Sequence, residues 1–314
     1  MKIAHFPQNP ANHAWRLAEA QRKLGHEVVV FSRKKADETY GYQSDIHIEG
    51  HLDPIHFNLD MLRRAKELNS FDIIHNHCGI WLTQLAYYLI RKPKLFLEYH
   101  GTDAREGVGL HHQRLASGFF YSTPDLRTRV PRSSIWLPHP IELRPLPKPP
   151  ESKRPLFVHF VSTEKGTDKF IGLFCRAFGE ANYLFNFSGD REERYIAKEA
   201  ELRVYTMVPQ ERVFAAMEQA DVVLDRWNQY GIYGYVSVEA MAFGKPVIAD
   251  IDPLLYPEDC PVLYPTIDTL QLLARDEYAR KFAGQLGRKY TERVHEASVV
   301  AKKSIDAFEA ALNL

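Results

Sequence analysis

A single interruption in an otherwise regular rhythm most constrains what this chain can fold into. Short apolar runs alternate with amphipathic segments along its whole length, the pattern of a parallel sheet covered by helices. Between Pro138 and Pro155 stand seven of the nineteen prolines. Their rings fix φ and remove backbone donors, so neither a helix interior nor a central strand absorbs them. The rhythm then restarts. Two doubly wound α/β halves are therefore expected, 1–145 and 146–292, and such domains bind ligands at the carboxyl ends of their strands.

In the first half the expected strands cover 2–6, 27–31, 73–75, 95–99, 119–122 and 135–137, with a helix over 14–24 that Gly25 stops. In the second half they cover 156–161, 183–187, 203–205, 222–224 and 247–249. Helices are expected there from 167 and over 191–200, 211–219 and 236–243. The segment 81–90 reads as a buried helix ahead of Arg91 and Lys92, and the last forty or so residues as charged helix.

Composition narrows the function classes. The 314 residues carry 40 Lys+Arg against 40 Asp+Glu, with no basic excess of the kind that holds nucleic acid through its phosphates. Apolar residues make up 45% and aromatics 12%, enough for a packed core and against disorder. Cys78, Cys175 and Cys260 stand far apart with no CxxC spacing, which fits a reducing, cytoplasmic setting. The apolar start Met1–Pro7 is too short for a signal-peptide core, and no run reaches ~18 apolar residues. No transmembrane segment is expected, and contact with a membrane surface stays compatible with the composition. Twelve of the fourteen histidines precede residue 140.

Four stretches carry candidate chemistry. Gly231-Ile-Tyr-Gly-Tyr-Val-Ser-Val-Glu239 reads as a glycine-containing loop entering a helix, where close backbone approach and helix-start amides suit an anion. The carboxylate of Glu239 suits a sugar diol, and an ordinary loop–helix junction explains the stretch equally well. Ser162-Thr-Glu-Lys165-Gly-Thr167 follows a strand; Lys165 can reach a phosphate or be a plain loop lysine, and Thr167 or Asp168 can cap the next helix. Neither GxxxxGK[ST] nor GxGxxG occurs at these turns. His75-Asn-His77 and Tyr99-His100-Gly-Thr-Asp103 also follow strands. The His-x-His pair suggests zinc, yet the spacing offers no third ligand. His100 is expected as an exposed imidazole that Asp103 orients, and His111-His112 as a solvated pair. Asn9 and Asn12 read as helix caps first and substrate contacts second.

Together these stretches resemble the retaining, nucleotide-sugar-dependent glycosyltransferases of family four, whose GT-B fold pairs two Rossmann-like domains across a cleft. The resemblance runs through Asp72-Ile-Ile-His-Asn-His77, His100-Gly-Thr-Asp103, Ser122-Thr-Pro-Asp125, Trp136-Leu-Pro-His-Pro140, Glu164-Lys-Gly166, Ala220-Asp-Val-Val223 and Glu239-Ala-Met-Ala-Phe-Gly-Lys-Pro246. It implies transfer of a sugar to a hydroxyl acceptor, with 293–314 crossing back onto the first domain. Glu239 would hold the ribose, Lys165 the diphosphate, and amides around Tyr233, Gly234 and Tyr235 the phosphates and sugar. Ser162, Met207, Gly231 and Ser237 complete the implied donor site. His100 and Asp103 form the implied catalytic pair, and Asn9, Asn12, His75 and His77 border the acceptor. No metal and no cofactor is implied, since basic groups and helix amides stabilise the leaving diphosphate.

Two positions depart from the family. Gly231 stands where a glutamate often touches the donor sugar, and Phe160 where an arginine usually binds phosphate. They motivate an alternative, a non-catalytic sugar-nucleotide-binding protein of the same fold. A sugar-nucleotide epimerase is the third reading, and the sequence shows no dedicated acid/base carboxylate pair to favour it.

Overall fold

The computed structural model describes every residue except 34–41, 49–53, 78–88, 108–109, 148–153, 162–165, 180, 187–190, 228, 258 and 314. The chain forms two compact units, Met1–Glu142 with Glu296–Leu314, and Leu143–His295. No helix is long and apolar enough to cross a membrane among the described residues. The expected helix over 81–90 falls almost wholly outside them.

The first unit is built on a parallel sheet of β1 (Lys2–Phe6), β2 (Glu27–Ser32), β3 (Ile46–His47), β4 (Ile73–His77), β5 (Lys94–Tyr99), β6 (Gly118–Tyr121) and β7 (Ile135–Trp136), in the order β3-β2-β1-β4-β5-β6-β7. Strand alternation sorts the side chains onto two faces. Ala4, Phe6, Ile74, Leu97 and Tyr99 pack into one core. Ile3, Ile73, Phe96 and Phe120 pack into the other, beneath α1 (His13–Lys23) and the C-terminal helix α9 (Ala297–Leu312), which contributes Val300, Ile305 and Phe308. The chain rejoins this unit where Ile141 bridges Glu296 and the Ala297 N–H donates to the Ile141 carbonyl at 2.9 Å. A helix not anticipated from the sequence, α2 (Pro54–Leu68), precedes β4, and a short helix, α3 (Thr102–Arg105), follows β5.

In the second unit the sheet order is β13-β12-β8-β11-β10-β9, from β8 (Leu156–Val161), β9 (Asn182–Asn186), β10 (Arg191–Ile196), β11 (Glu201–Thr206), β12 (Val222–Trp227) and β13 (Val247–Asp250). Helices α4 (Thr167–Phe178), α5 (Gln210–Gln219), α6 (Tyr235–Ala242), α7 (Ile267–Arg275) and α8 (Glu277–Val294) accompany it. Thr266 and Asp276 cap α7 and α8 through their side chains.

The helix expected over 191–200 is instead β10, antiparallel to both neighbours. Its Glu and Arg residues, with Ala197, Lys198 and Ala200 just after it, favour helix, but pairing of 191–196 on both edges outweighs that weak preference. The strand also gives Glu192 its partners. This buried carboxylate lies 2.6 Å from Arg194 Nε and 3.2 Å from Arg212 Nη2, with Arg203 Nε at 3.9 Å.

The cap expected from Thr167 or Asp168 is not made. Gly166 occupies the N-cap of α4 in a left-handed conformation, and the Thr167 hydroxyl instead meets His159 Nε2 at 3.1 Å. A Cβ on Gly166 would lie 2.6 Å from the Trp227 carbonyl, so glycine is required there.

Candidate functional site

In the first unit the strand register gathers the histidines. His5 stands opposite His75, and His77 opposite Glu98. The face that carries Ile3, Ile73 and Phe96 at its amino end thus presents His5, His75, His77 and Glu98 toward its carboxyl end. Helix α1 adds His13 and Gln21 from above, and all of these side chains are fully buried. His100 follows β5, its side chain 9% exposed.

Glu98 is the hub. Its Oε1 lies 2.9 Å from His13 Nε2, and its Oε2 lies 3.0 Å from His75 Nε2, 3.2 Å from His77 Nδ1 and 3.8 Å from His100 Nε2. A second line of contacts runs from His100 Nε2 to His77 Nδ1 at 3.0 Å, from His77 Nε2 to His5 Nδ1 at 2.8 Å, and from His5 Nε2 to Gln21 Oε1 at 2.8 Å. Burial lowers the pKa of His5 and His100 well below the usual imidazole value and that of His77 to about 3. Burial alone would raise the Glu98 carboxyl, but its imidazole neighbours, His13 first and His100 next, hold it well below the usual carboxylate range.

Asp103 holds the loop that carries His100. Its carboxylate accepts the backbone N–H groups of His100, Gly101 and Ala104 at 2.8 to 3.1 Å, and burial raises its pKa. It is a positioning residue in this geometry. His100 is nearly buried where an exposed imidazole was expected, and His75 and His77 lie inside β4, with no surface to border an acceptor. The side chains of His111 and His112 lie outside the description.

Asn9 and Asn12 shape the turn before α1. Asn9 Oδ1 accepts the Trp15 N–H at 3.2 Å, while its amide donates to Asn12 Oδ1 and to the Gln43 carbonyl, each at 2.8 Å. Asn9 also lines a cavity of about 440 Å³ with Gln8, Ser32, Arg33 and Tyr42.

In the second unit the loop and helix around Gly231–Glu239 have a different anchor from the one expected. Asp225, fully buried on β12, accepts the Gly234 N–H at 2.7 Å and the Ser237 hydroxyl at 2.8 Å. A carboxylate thus sits at the positive start of α6. The Tyr233 N–H donates to the Tyr256 hydroxyl at 3.0 Å, and the Tyr233 phenol turns into the core to meet His295 and Tyr290. Glu239 lies in the second turn of α6, 7% exposed. Gly231 adopts φ +62°, and a Cβ there would lie 3.0 Å from Asp252. Met207, also at positive φ, is exposed at the end of β11. Ser162 and Lys165 lie outside the described residues.

Arg226 is a basic group that sequence reading passed over. Its guanidinium lies against Gly234, so close that a Cβ there would fall 2.8 Å from Nε. That Nε has no hydrogen-bond partner among the described residues, and its ion-pair contact is with Asp225 Oδ1 at 4.0 Å. Position alone marked it weakly: Arg226 follows an apolar run at the end of a strand, where cleft residues are found.

Residues 10–134, less than half of the chain, match the sequence profile of Glycosyltransferase Family 4. No curated protein sequence matches. Among solved structures, Anabaena HepE in complex with UDP-glucose superposes with a TM-score of 0.70 at 14% identity, covering 99% of this chain and 100% of that one. A putative UDP-N-acetylglucosamine 2-epimerase from Listeria monocytogenes gives 0.56 at 12% identity over 99% and 96%. The calicheamicin glycosyltransferase CalG4 gives 0.50 at 13% over 100% and 99%. The chain therefore has the GT-B fold, and its first unit is like Glycosyltransferase Family 4 in sequence.

Proposed function

We propose that the chain is a glycosyltransferase that moves a hexose-type sugar from a nucleoside-diphosphate sugar to a hydroxyl acceptor with retention of configuration. The observation that carries this reading is the entry to α6, where Gly231 and Gly234 lead into the helix that carries Glu239 and the Arg226 guanidinium lies against Gly234. Glu239 binds the ribose hydroxyls and Arg226 supplies positive charge to the diphosphate, a role for which the sequence offers Lys165 but no arginine at Phe160. The HepE complex with UDP-glucose supports a uridine nucleotide as the first donor to try. Formal neutrality of the whole chain fits capture by a few positioned groups.

The test is a thermal-shift panel of UDP-, GDP- and ADP-sugars, followed by calorimetry on variants. A ligand that binds only the native state stabilises it by about 2.7 kcal/mol at a hundredfold excess over Kd. Glu239→Ala and Lys165→Ala are expected to weaken binding, and His100→Ala to reduce turnover. Unchanged affinity in Glu239→Ala would remove the site assignment.

The epimerase of the same fold motivates a second reading in which the sugar stays on its nucleotide. Mass spectrometry of the product separates the two, because only transfer releases a free nucleoside diphosphate and a heavier acceptor. A purely binding role, motivated by Gly231 and Phe160, predicts neither product.

A further inference from the structure

The histidine cluster poses a problem in charge and lone pairs. Among the described residues, the ion-pair partners of Glu98 are His13, His75, His77 and His100. These contacts are close but not directed as hydrogen bonds. Neither Glu98 oxygen and neither His75 nitrogen has a hydrogen-bond partner among the described residues. A fully buried carboxylate costs several kcal/mol unless a cation or well-aimed donors compensate it.

Tautomers can be read from the far end of the network. The Ser304 hydroxyl donates to the Ala301 carbonyl at 2.7 Å, so it accepts from Gln21 Nε2 at 2.9 Å. The Gln21 oxygen therefore faces His5 Nε2, which must donate to it. A neutral His5 then accepts at Nδ1, and His77 donates from Nε2. A neutral His77 is left with its Nδ1 lone pair pointing to His100 and Glu98, 3.2 Å from the Glu98 oxygen. Two acceptors so placed call for either a proton on His100 Nε2 or a metal cation between them.

We infer that the first unit holds a divalent transition-metal ion of the zinc class on His13 Nε2, Glu98, His100 Nε2 and His77 Nδ1. The ligand atoms of His13, Glu98 and His100 lie within 4.8 Å of one another. His77 Nδ1 stands beside this group, 3.0 Å from His100 and 3.2 Å from Glu98, and offers the fourth donor. Tetrahedral bonds of about 2.1 Å separate neighbouring ligands by about 3.4 Å. Four spacings bracket that separation: 2.9 Å from His13 to Glu98 Oε1, 3.2 and 3.8 Å from His77 and His100 to Glu98 Oε2, and 3.0 Å between His77 and His100. Imidazole with carboxylate suits zinc and its neighbours over magnesium or calcium. The His77–His5–Gln21 contacts supply the outer hydrogen bonds that orient a ligating imidazole. His100 is the ligand with exposed surface, and it gives the ion access. The inference stands on the first unit alone and does not rest on the transferase reading. It makes His100 Nε2 a ligand atom rather than a proton carrier.

The test uses untagged full-length protein purified without chelator. Metal analysis is expected to find about one ion per chain, and chelator-stripped protein should take up one Co²⁺ with visible ligand-field bands and a raised melting temperature. His100→Ala and Glu98→Gln should each lose the bound ion. Gln21→Ala, outside the ligand set, should weaken affinity about tenfold or more by freeing His5 and His77. If Glu98→Gln does not fold, the wild-type Co²⁺ titration and His100→Ala still decide. Protein that is metal-free as purified and gives neither bands nor stabilisation with Co²⁺ overturns the inference in favour of a proton-filled network. An ion retained by His100→Ala and by His13→Ala sits elsewhere and overturns it too.

Discussion

The side-chain amide of Gln21 donates to the hydroxyl of Ser304 at 2.9 Å, joining the first helix to the last across 283 positions of sequence. The bond is fully buried, and it ends the line of contacts that begins at His100. Ser304→Ala leaves the Gln21 amide without its acceptor, so a loss of about 1–3 kcal/mol is expected. Urea denaturation checks this, and Ser304→Thr, which keeps the hydroxyl, should retain more of the stability than Ala.

Arg226→Ala tests the group beside α6. A charged hydrogen bond to phosphate contributes about 1.5–3 kcal/mol, so nucleoside-diphosphate affinity should fall roughly tenfold to a hundredfold. The residue is partly exposed near the end of β12, and its Nε lies 4.0 Å from Oδ1 of the buried Asp225, so the melting temperature should fall modestly as well. Calorimetry that finds equal affinity in the variant and the wild type would remove Arg226 from the donor site.

Restoring the family's glutamate should not help. Gly231 has φ +62° and faces Asp252, so Gly231→Glu combines a left-handed backbone with a tight contact and a second carboxylate. A loss of about 1–2 kcal/mol is expected, with no gain in turnover. A more active and equally stable variant would show that the loop can rearrange.

Glu192→Ala probes the unexpected strand. Removing this buried carboxylate takes away the partner of Arg194 and Arg212, while Arg203 keeps Glu201 at 2.6 Å. Solvent reaches the arginines, so a loss of about 1–3 kcal/mol is expected. Chemical denaturation reads this directly. A change below about 1 kcal/mol would mean that solvent already compensates the arginines.

Cys260 should be a slow thiol. Burial raises its pKa to about 12 from the ordinary 9.0. Its share of stability is therefore full below about pH 9 and is lost as pH rises toward about 12, because the unfolded thiol ionises first. Near pH 8, alkylation followed by peptide mass spectrometry should find Cys260 about a thousandfold slower in the native protein than in urea.

Much of the fold was legible because strands and helices follow local periodicity. The strand over 2–6 occurs as expected, and the helix before Gly25 is offset by one residue. The helix over 191–200 was misread because its residue types favour helix in isolation, whereas two neighbouring strands hold the segment extended. The loop at Gly231 was visible from its glycines, but Asp225 was not. Nothing local distinguishes a strand aspartate that caps a helix nine positions away.

The sequence by itself determined the alternation of strand and helix, the proline-rich link, the neutral charge and the histidines gathered before residue 140. It offered His75 and His77 as a pair without a third ligand. Only the tertiary structure brought His5, His13, Glu98 and His100 to them, because parallel strands place residues about seventy positions apart side by side and α1 closes over that face. Spacing along the chain records a helix or a strand, whereas a site assembled from four elements is recorded in the register between them.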